Sequence, residues 1–477
     1  MIRSSLQASQ CVTSSPDMDV VLDVDLDCDS DTAGQKQPRR TRKTRKSDEA
    51  ARGIMSGKTI SEKILSRKSG RDARAGDLVI CEVDCAMATD GSAPMAINYF
   101  EQMGGSRVFD PGRLVFVMDH YASSAHQRTV ELQERMRVFA AKHRIPVFDV
   151  GTGISHQLMV ETGRAHPGGL LVGADSHSVT GGALNAFATG VGSSDLAAVM
   201  ICGRIWLKVP ETIKVRLEGR TKPGVYPKDV ALALTGKIGA DGANYQALEF
   251  VGPGASALDL EDRLVLSNLS VEMGAKAGIF PADRKTVEYL ESRIPASFTA
   301  AEADRDSRYS REVVLDLSEL TPMIALPHAV DNVTGLSAAI GTPIQMVFLG
   351  SCTGGRARDL HQAAAILEAA GRIAPGLQLV VCPASRAVEA ELLRDGTLDR
   401  LAALGATILP PGCGPCCGTS GPIPAAGTNV MSTANRNFKG RMGSGAVSIY
   451  LASPAACAAA AVTGEITEIS GIMGRME

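Results

Sequence analysis

From Met55 onward, short apolar runs alternate with stretches patterned like amphipathic helices. That alternation predicts repeated strand–helix units and hence an α/β fold. Four of the runs stop abruptly in reactive residues. LVFVM leads into Asp119-His120, and VFDVGTG into Ile154-Ser155-His156. GGLLVGA leads into Asp175-Ser176-His177, and MVFLG into Ser351-Cys352-Thr353-Gly354-Gly355-Arg356. Ligands of open α/β sheets bind beyond the carboxyl ends of strands, so these four ends predict where a site lies. The charge-free stretch from Met442 to Gly464 ends in SPAACAAAAVTG, whose small residues predict a buried helix rather than a membrane span.

Residues 1–54 break the pattern. Seven Asp fall between Asp17 and Asp31, followed by seven Lys/Arg between Lys36 and Lys46. Such charge blocks with few large apolar residues predict a disordered extension. Further along, the composition shifts near Pro210 and again at Asp304-Arg305-Asp306, ahead of the strand VVLDL. The expected organisation is an extension over 1–54 and α/β domains over 55–209, 210–303 and 304–477.

Composition narrows the function. With 44% hydrophobic and 21% charged residues in 477, a large core can form. Lys+Arg (49) and Asp+Glu (52) leave a net charge of −3, which argues against a general nucleic-acid binder. Eleven cysteines, an odd number, and no secretion signal predict a reducing compartment, the cytoplasm.

Cys413-Gly-Pro-Cys416 is the sharpest local motif. Alone, C-x-x-C fits zinc, a redox dithiol or an iron–sulfur cluster. No second C-x-x-C accompanies it, which weakens zinc, and its Pro- and Gly-rich loop does not suit a thioredoxin-like dithiol. Adding Cys352 would allow three thiolates to hold a [4Fe–4S] cluster with one iron open to substrate. Cys417 is expected to point elsewhere. His120, His156 and His177 share strand-end positions, and Asp119 and Asp175 could orient them. Asn268 and Glu272 in LVLSNLSVEMGAKAG are expected on one face of a helix. Arg436 and Arg441 in NRNFKGR suit carboxylates or phosphates.

GADSHSVTGG, NLSVEMGAKAG, FLGSCTGGR, PGCGPCCG and NRNFKGR, in this order, resemble the aconitase superfamily. The resemblance covers roughly residues 56–477. Within the superfamily it points to the branch of large subunits shared by isopropylmalate dehydratase, homoaconitase and dimethylmalate dehydratase. It implies three α/β/α domains around a [4Fe–4S] cluster, without the swivelling fourth domain. It also implies cluster ligands Cys352, Cys413 and Cys416. Asp119, His120, His156, Asp175, His177 and Glu272 match the acid/base set. Asn268, Arg356, Asn435, Arg436 and Arg441 match residues contacting cluster or substrate. The implied reaction is dehydration and rehydration of a hydroxy-dicarboxylate, foremost isomerisation of 2- and 3-isopropylmalate in leucine biosynthesis. The family's serine base sits on the swivelling domain. Only 36 residues follow Arg441, so a small partner subunit is expected to supply that base, in a heterodimer or heterotetramer. Two positions depart from the family: Gly354 stands where relatives commonly carry Asn, and Thr89 where they often carry His or Gln. Two rival readings are a cluster-free RNA-binding relative and a zinc or redox protein using Cys413 and Cys416 alone.

Overall fold

The computed structural model describes residues 57–470 except 123, 125, 292 and 294–297, so the charged extension over 1–54 lies outside the described residues. The first sheet is wholly parallel. Its strands run in the order Val147–Phe148, Leu114–Val117, Cys85–Thr89, Leu170–Gly173 and Phe187–Gly190. Alternation places Ala86, Ala88, Leu114 and Phe116 against one buried cluster and Cys85, Met87, Val115 and Val117 against another. Both faces are therefore covered, which is why these strands read as continuous apolar runs.

The second sheet is also parallel, in the order Ala277–Ile279, Ala247–Val251, Thr212–Glu218, Arg311–Asp316. Arg311–Asp316 pairs along its length with Ile213–Glu218. The strand expected to open the third domain therefore completes the second sheet, and the boundary at 303/304 falls too early. Sequential order alone cannot show which sheet a returning strand joins.

The third sheet has seven strands, ordered Val333–Gly335, Met323–Ala325, Ser448–Ala452, Asn429–Ser432, Met346–Leu349, Gln378–Val381 and Thr407–Ile408. Its first two pairings are antiparallel and the rest parallel. The charge-free stretch resolves into the strand Ser448–Ala452 and a helix, Pro454–Thr463, buried from Pro454 to Val462. Ser453 caps that helix by accepting from the Ala456 N–H, and Gly464 ends it in the left-handed region at φ 79°. Among the described residues no helix is long and apolar enough to cross a membrane.

A two-stranded antiparallel ribbon, Leu78–Glu82 with Arg204–Lys208, stands apart from the three sheets. Ile80 faces Trp206 across it, and each is 63% exposed.

Candidate active site

Two sets of strand ends supply the site. From the first sheet, Leu114–Val117 delivers Asp119 and His120, and Leu170–Gly173 delivers Asp175. His156 lies in the first turn of the helix Ser155–Glu161, and His177 in the 3-10 segment Ser176–Leu184 that Asp175 caps. Asp175 is the hub. Its Oδ2 is 3.1 Å from His120 Nε2, its Oδ1 is 2.9 Å from His156 Nε2, and Oδ1 also accepts from the His177 N–H at 2.8 Å. Asp119 grips the other side of His120 (Oδ1 to Nδ1, 2.7 Å), while its Oδ2 accepts from the Ser155 N–H at 2.7 Å.

These contacts set the charges. Burial opposes a charge on His120, but Asp119 and Asp175 outweigh it and hold the imidazole well above its usual 6.5. Burial likewise opposes ionisation of Asp175, yet His156, His120 and His177 hold its carboxyl well below 3.8. Asp119 is lowered too, against burial, chiefly by His120. The side chain of His120 is 22% exposed, against 4% for His156 and 6% for His177, so it is the imidazole most open to a substrate.

The network continues through Glu272. Its Oε1 is 2.8 Å from His177 Nε2 and accepts from Arg436 Nε at 2.7 Å. Arg436 also donates through Nη2 to Ser176 Oγ at 2.9 Å. Glu272 was expected to share a helix face with Asn268. Instead the helix ends at Leu269, and Glu272 sits in a 3-10 turn over Ser270–Met273. The tighter turn separates the two side chains, so that Asn268 meets Cys352 and Glu272 meets His177.

The third sheet supplies the cysteines. Cys352 follows the strand Met346–Leu349. Cys413 and Cys416 bound the turn Gly414–Cys417, which follows Thr407–Ile408. Asn268 and Asn435 both aim amide N–H groups at Cys352 Sγ, at 3.1 and 3.3 Å, and Asn435 Oδ1 lies 3.9 Å from Cys416 Sγ. Arg441 Nη2 approaches Cys416 Sγ at 3.6 Å. Cys413 packs with Cys352, Ile154 and Ala384, and its N–H donates to the Asp119 carbonyl at 3.0 Å. The ligating atoms of Asp119, His120 and Cys413 all lie within 4.8 Å of one another, so the two sets of strand ends meet. Burial pushes the Cys352 thiol up to about 12 and Cys413 well above 9.0. Cys417 turns away, its Sγ 2.8 Å from Thr419 Oγ1.

Arg356 lies against the cysteine loop. Its guanidinium is buried, donating through Nε to Gln157 Oε1 at 3.1 Å and through Nη2 to the Cys352 carbonyl at 2.7 Å. It braces the cysteine loop, while its Nη1 is buried with no hydrogen-bond partner. Three residues escaped the sequence reading. Asp90, in ATDGSAP, accepts from the His120 and Tyr121 N–H groups at 2.9 and 3.1 Å, setting the backbone that carries His120. Ser176 steadies Arg436. Lys228, in the first turn of the helix Pro227–Ile238, reaches the loops bearing Cys352 and Asn435. The run GADSHS contains Ser176 but gives no reason to single it out, and Lys228 stands in no motif.

The geometry agrees with the comparisons. The model of the "Aconitase family (aconitate hydratase)" matches residues 62–464. A 3-isopropylmalate dehydratase large subunit 1 of Methanopyrus kandleri is 46% identical over 413 residues, covering 86% of this chain and 99% of its own. A protein of the same name from Thermotoga maritima is 46% identical over 415 residues, with the same coverage. A probable methanogen homoaconitase large subunit of Methanosarcina mazei is 44% identical over 391 residues, covering 82% of this chain and 99% of its own. Strand-end histidines, converging cysteines and three helix-flanked sheets thus occur in a chain that belongs to the aconitase family of hydro-lyases.

Proposed function

We propose that this chain is the large subunit of an iron–sulfur dehydratase that isomerises 2- and 3-isopropylmalate, with Cys352, Cys413 and Cys416 holding a [4Fe–4S] cluster. The observation that carries this reading is the pair of asparagine amides aimed at Cys352 Sγ, beside Cys416 and one loop from His120. The residues fit such a group in other ways. His156 Nδ1 and Arg441 Nε are buried with no hydrogen-bond partner, atoms a bound cluster and substrate would satisfy. Cys352 and Cys413 are kept protonated at neutral pH by burial, and metal coordination is what would convert such thiols to thiolates. When bound, the cluster would supply an open iron acting as a Lewis acid toward the substrate hydroxyl.

The chain's own groups divide the remaining work. His120, charged between Asp119 and Asp175, donates the proton that turns the departing hydroxyl into water. Asp175 keeps His120, His156 and the His177 backbone in register. Glu272 and Ser176 fix Arg436, whose guanidinium is the candidate clamp for a substrate carboxylate. Arg441 and Asn435 border Cys416. The carbon-bound proton is assigned to a base on a small partner subunit, as the large-subunit names of the relatives suggest. A cytoplasmic location suits the nine described cysteines, all of which are free.

A homoaconitase-like substrate is the second reading, favoured by the 44% identical M. mazei relative. The test is anaerobic reconstitution followed by assay on isopropylmalate, homocitrate-derived and dimethylmalate substrates, with and without a co-expressed small subunit. Cluster absorbance with partner-dependent turnover of isopropylmalate is expected. Absence of bound iron and sulfide, or full turnover by the isolated chain, would sink the proposal.

A further inference from the structure

Lys228 occupies the second position of the helix Pro227–Ile238 and is 1% exposed. A cation is poorly placed there, because the first helical turn already presents partial positive charge. Helix stability therefore does not explain it. Its ammonium spends all three N–H bonds on neutral oxygens: Thr353 Oγ1 at 3.2 Å, the Thr433 carbonyl at 2.9 Å and the Ala434 carbonyl at 2.6 Å. A neutral amine has only two N–H bonds, so this arrangement calls for the charged form. Among the described residues it has no ion-pair partner. A buried ammonium held by dipoles alone is costly unless a counter-charge stands near.

Its three acceptors show where that counter-charge belongs. Thr353 follows Cys352 directly, and Ala434 precedes Asn435, whose amide reaches Cys352 Sγ at 3.3 Å. Lys228 thus ties together the loop that carries one cysteine and the loop that hydrogen-bonds it. Burial pushes its pKa down to about 8, and Cys352, Cys457, Asp359 and Cys416 are the groups that pull it back up. Asp359 and the neighbouring Asp229 also act on it through space, but among the described residues neither forms an ion pair with it. Cys352 and Cys416 are the groups around it that would carry a bound cluster, whose negative charge would then face the ammonium.

We infer that Lys228 is the buried counter-charge of the cysteine-bound cluster, a positioning residue that ties the Cys352 loop to the Asn435 loop and offsets the negative charge a bound cluster would bring to them. It rests on the cluster reading above. Removing the charge should hurt the loaded protein more than the iron-free one. It should also make the cluster harder to reduce, since a nearby cation favours the more negative state.

The experiment compares the full chain with Lys228→Met and Lys228→Gln, each iron-free and anaerobically reconstituted. Thermal midpoints are read in both states, and the reduction potential is followed by electron paramagnetic resonance. The gain in midpoint on loading should fall by at least half in both variants, and the potential should become more negative. Gln retains donors for the two carbonyls, so it guards against a simple packing failure of Met. A role in packing alone would lower both states equally and leave the potential in place. Either readout unmoved in both variants would overturn the inference, as would failure of both to fold. Wild type that takes up no iron would instead defeat the cluster reading, and this inference with it.

Discussion

The histidine side and the cysteine side of the site differ in what satisfies them. On the histidine side, carboxylates, imidazoles and Arg436 form a continuous chain of short contacts from Asp119 to Ser176. Apart from His156 Nδ1, which is buried without a partner, the side chains of that network are satisfied by one another. On the cysteine side, burial keeps Cys352 and Cys413 protonated, and among the described residues Lys228 has no ion-pair partner. One side is organised by its own residues, and the other reaches its lowest energy with something added. The difference teaches that damage to each side should register in different measurements.

The largest expected effect is on the cysteine side. Cys352→Ser, Cys413→Ser and Cys416→Ser should each abolish stable iron and sulfide binding and with it turnover, whereas Cys417→Ser should keep wild-type iron. Quantifying bound iron and sulfide checks this, and full loading of Cys352→Ser would contradict it. Next, Asp175→Asn should leave iron content intact and lower kcat by about 10²–10⁴, because an amide cannot hold His120 charged and in register. Steady-state kinetics of loaded protein with its partner decides it. If iron were lost as well, the two sides would not be separable.

A smaller effect tests packing beneath the cysteines. A Cβ added at Gly354 would fall 2.2 Å from Thr433 Cβ. Gly354→Ala should therefore destabilise the iron-free chain by about 1–3 kcal/mol in urea unfolding. An asparagine side chain at this position has no room while Thr433 keeps its bonds to Gly350. The smallest effect is a pH signature on the histidine side. Burial raises the Glu272 pKa, but His177 and Arg436 prevail and hold it below 4.5. A carboxylate with a lowered folded pKa stabilises the fold above its unfolded value, and that contribution is lost as pH falls through the folded pKa. Between neutral pH and pH 4.5 the contribution should be constant. Below 4.5 wild type should lose stability more steeply than Glu272→Gln, as read from unfolding midpoints of iron-free protein.

Much of the site was legible because its residues announce strand ends. Asp119-His120, Asp175-Ser176-His177 and the Cys352 loop each interrupt an apolar run, and interruption is a local signal. What the sequence hid is non-local. The bond from Arg356 to Gln157, 199 positions away, leaves no mark in the local sequence. Nothing local singles out Lys228, because its carbonyl acceptors are 205 and 206 positions away. The switch from α-helix to 3-10 turn at Ser270 leaves the apolar pattern unchanged, so periodicity could not separate Asn268 from Glu272. Arg311–Asp316 read correctly as a strand, but sheet membership is settled by pairing partners, which single-strand patterns do not encode.

The ribbon that stands apart from the sheets carries Trp206, the one tryptophan in the chain. With its indole 63% exposed, it emits from nearly the same aqueous surroundings before and after unfolding. Intrinsic tryptophan fluorescence should therefore be almost blind to loss of the core, and the unfolding midpoints above are better followed by far-ultraviolet circular dichroism. The same insensitivity makes the indole a clean optical gauge. A blue shift, or protection from acrylamide quenching, would report that something has covered the ribbon while the rest of the molecule stayed folded.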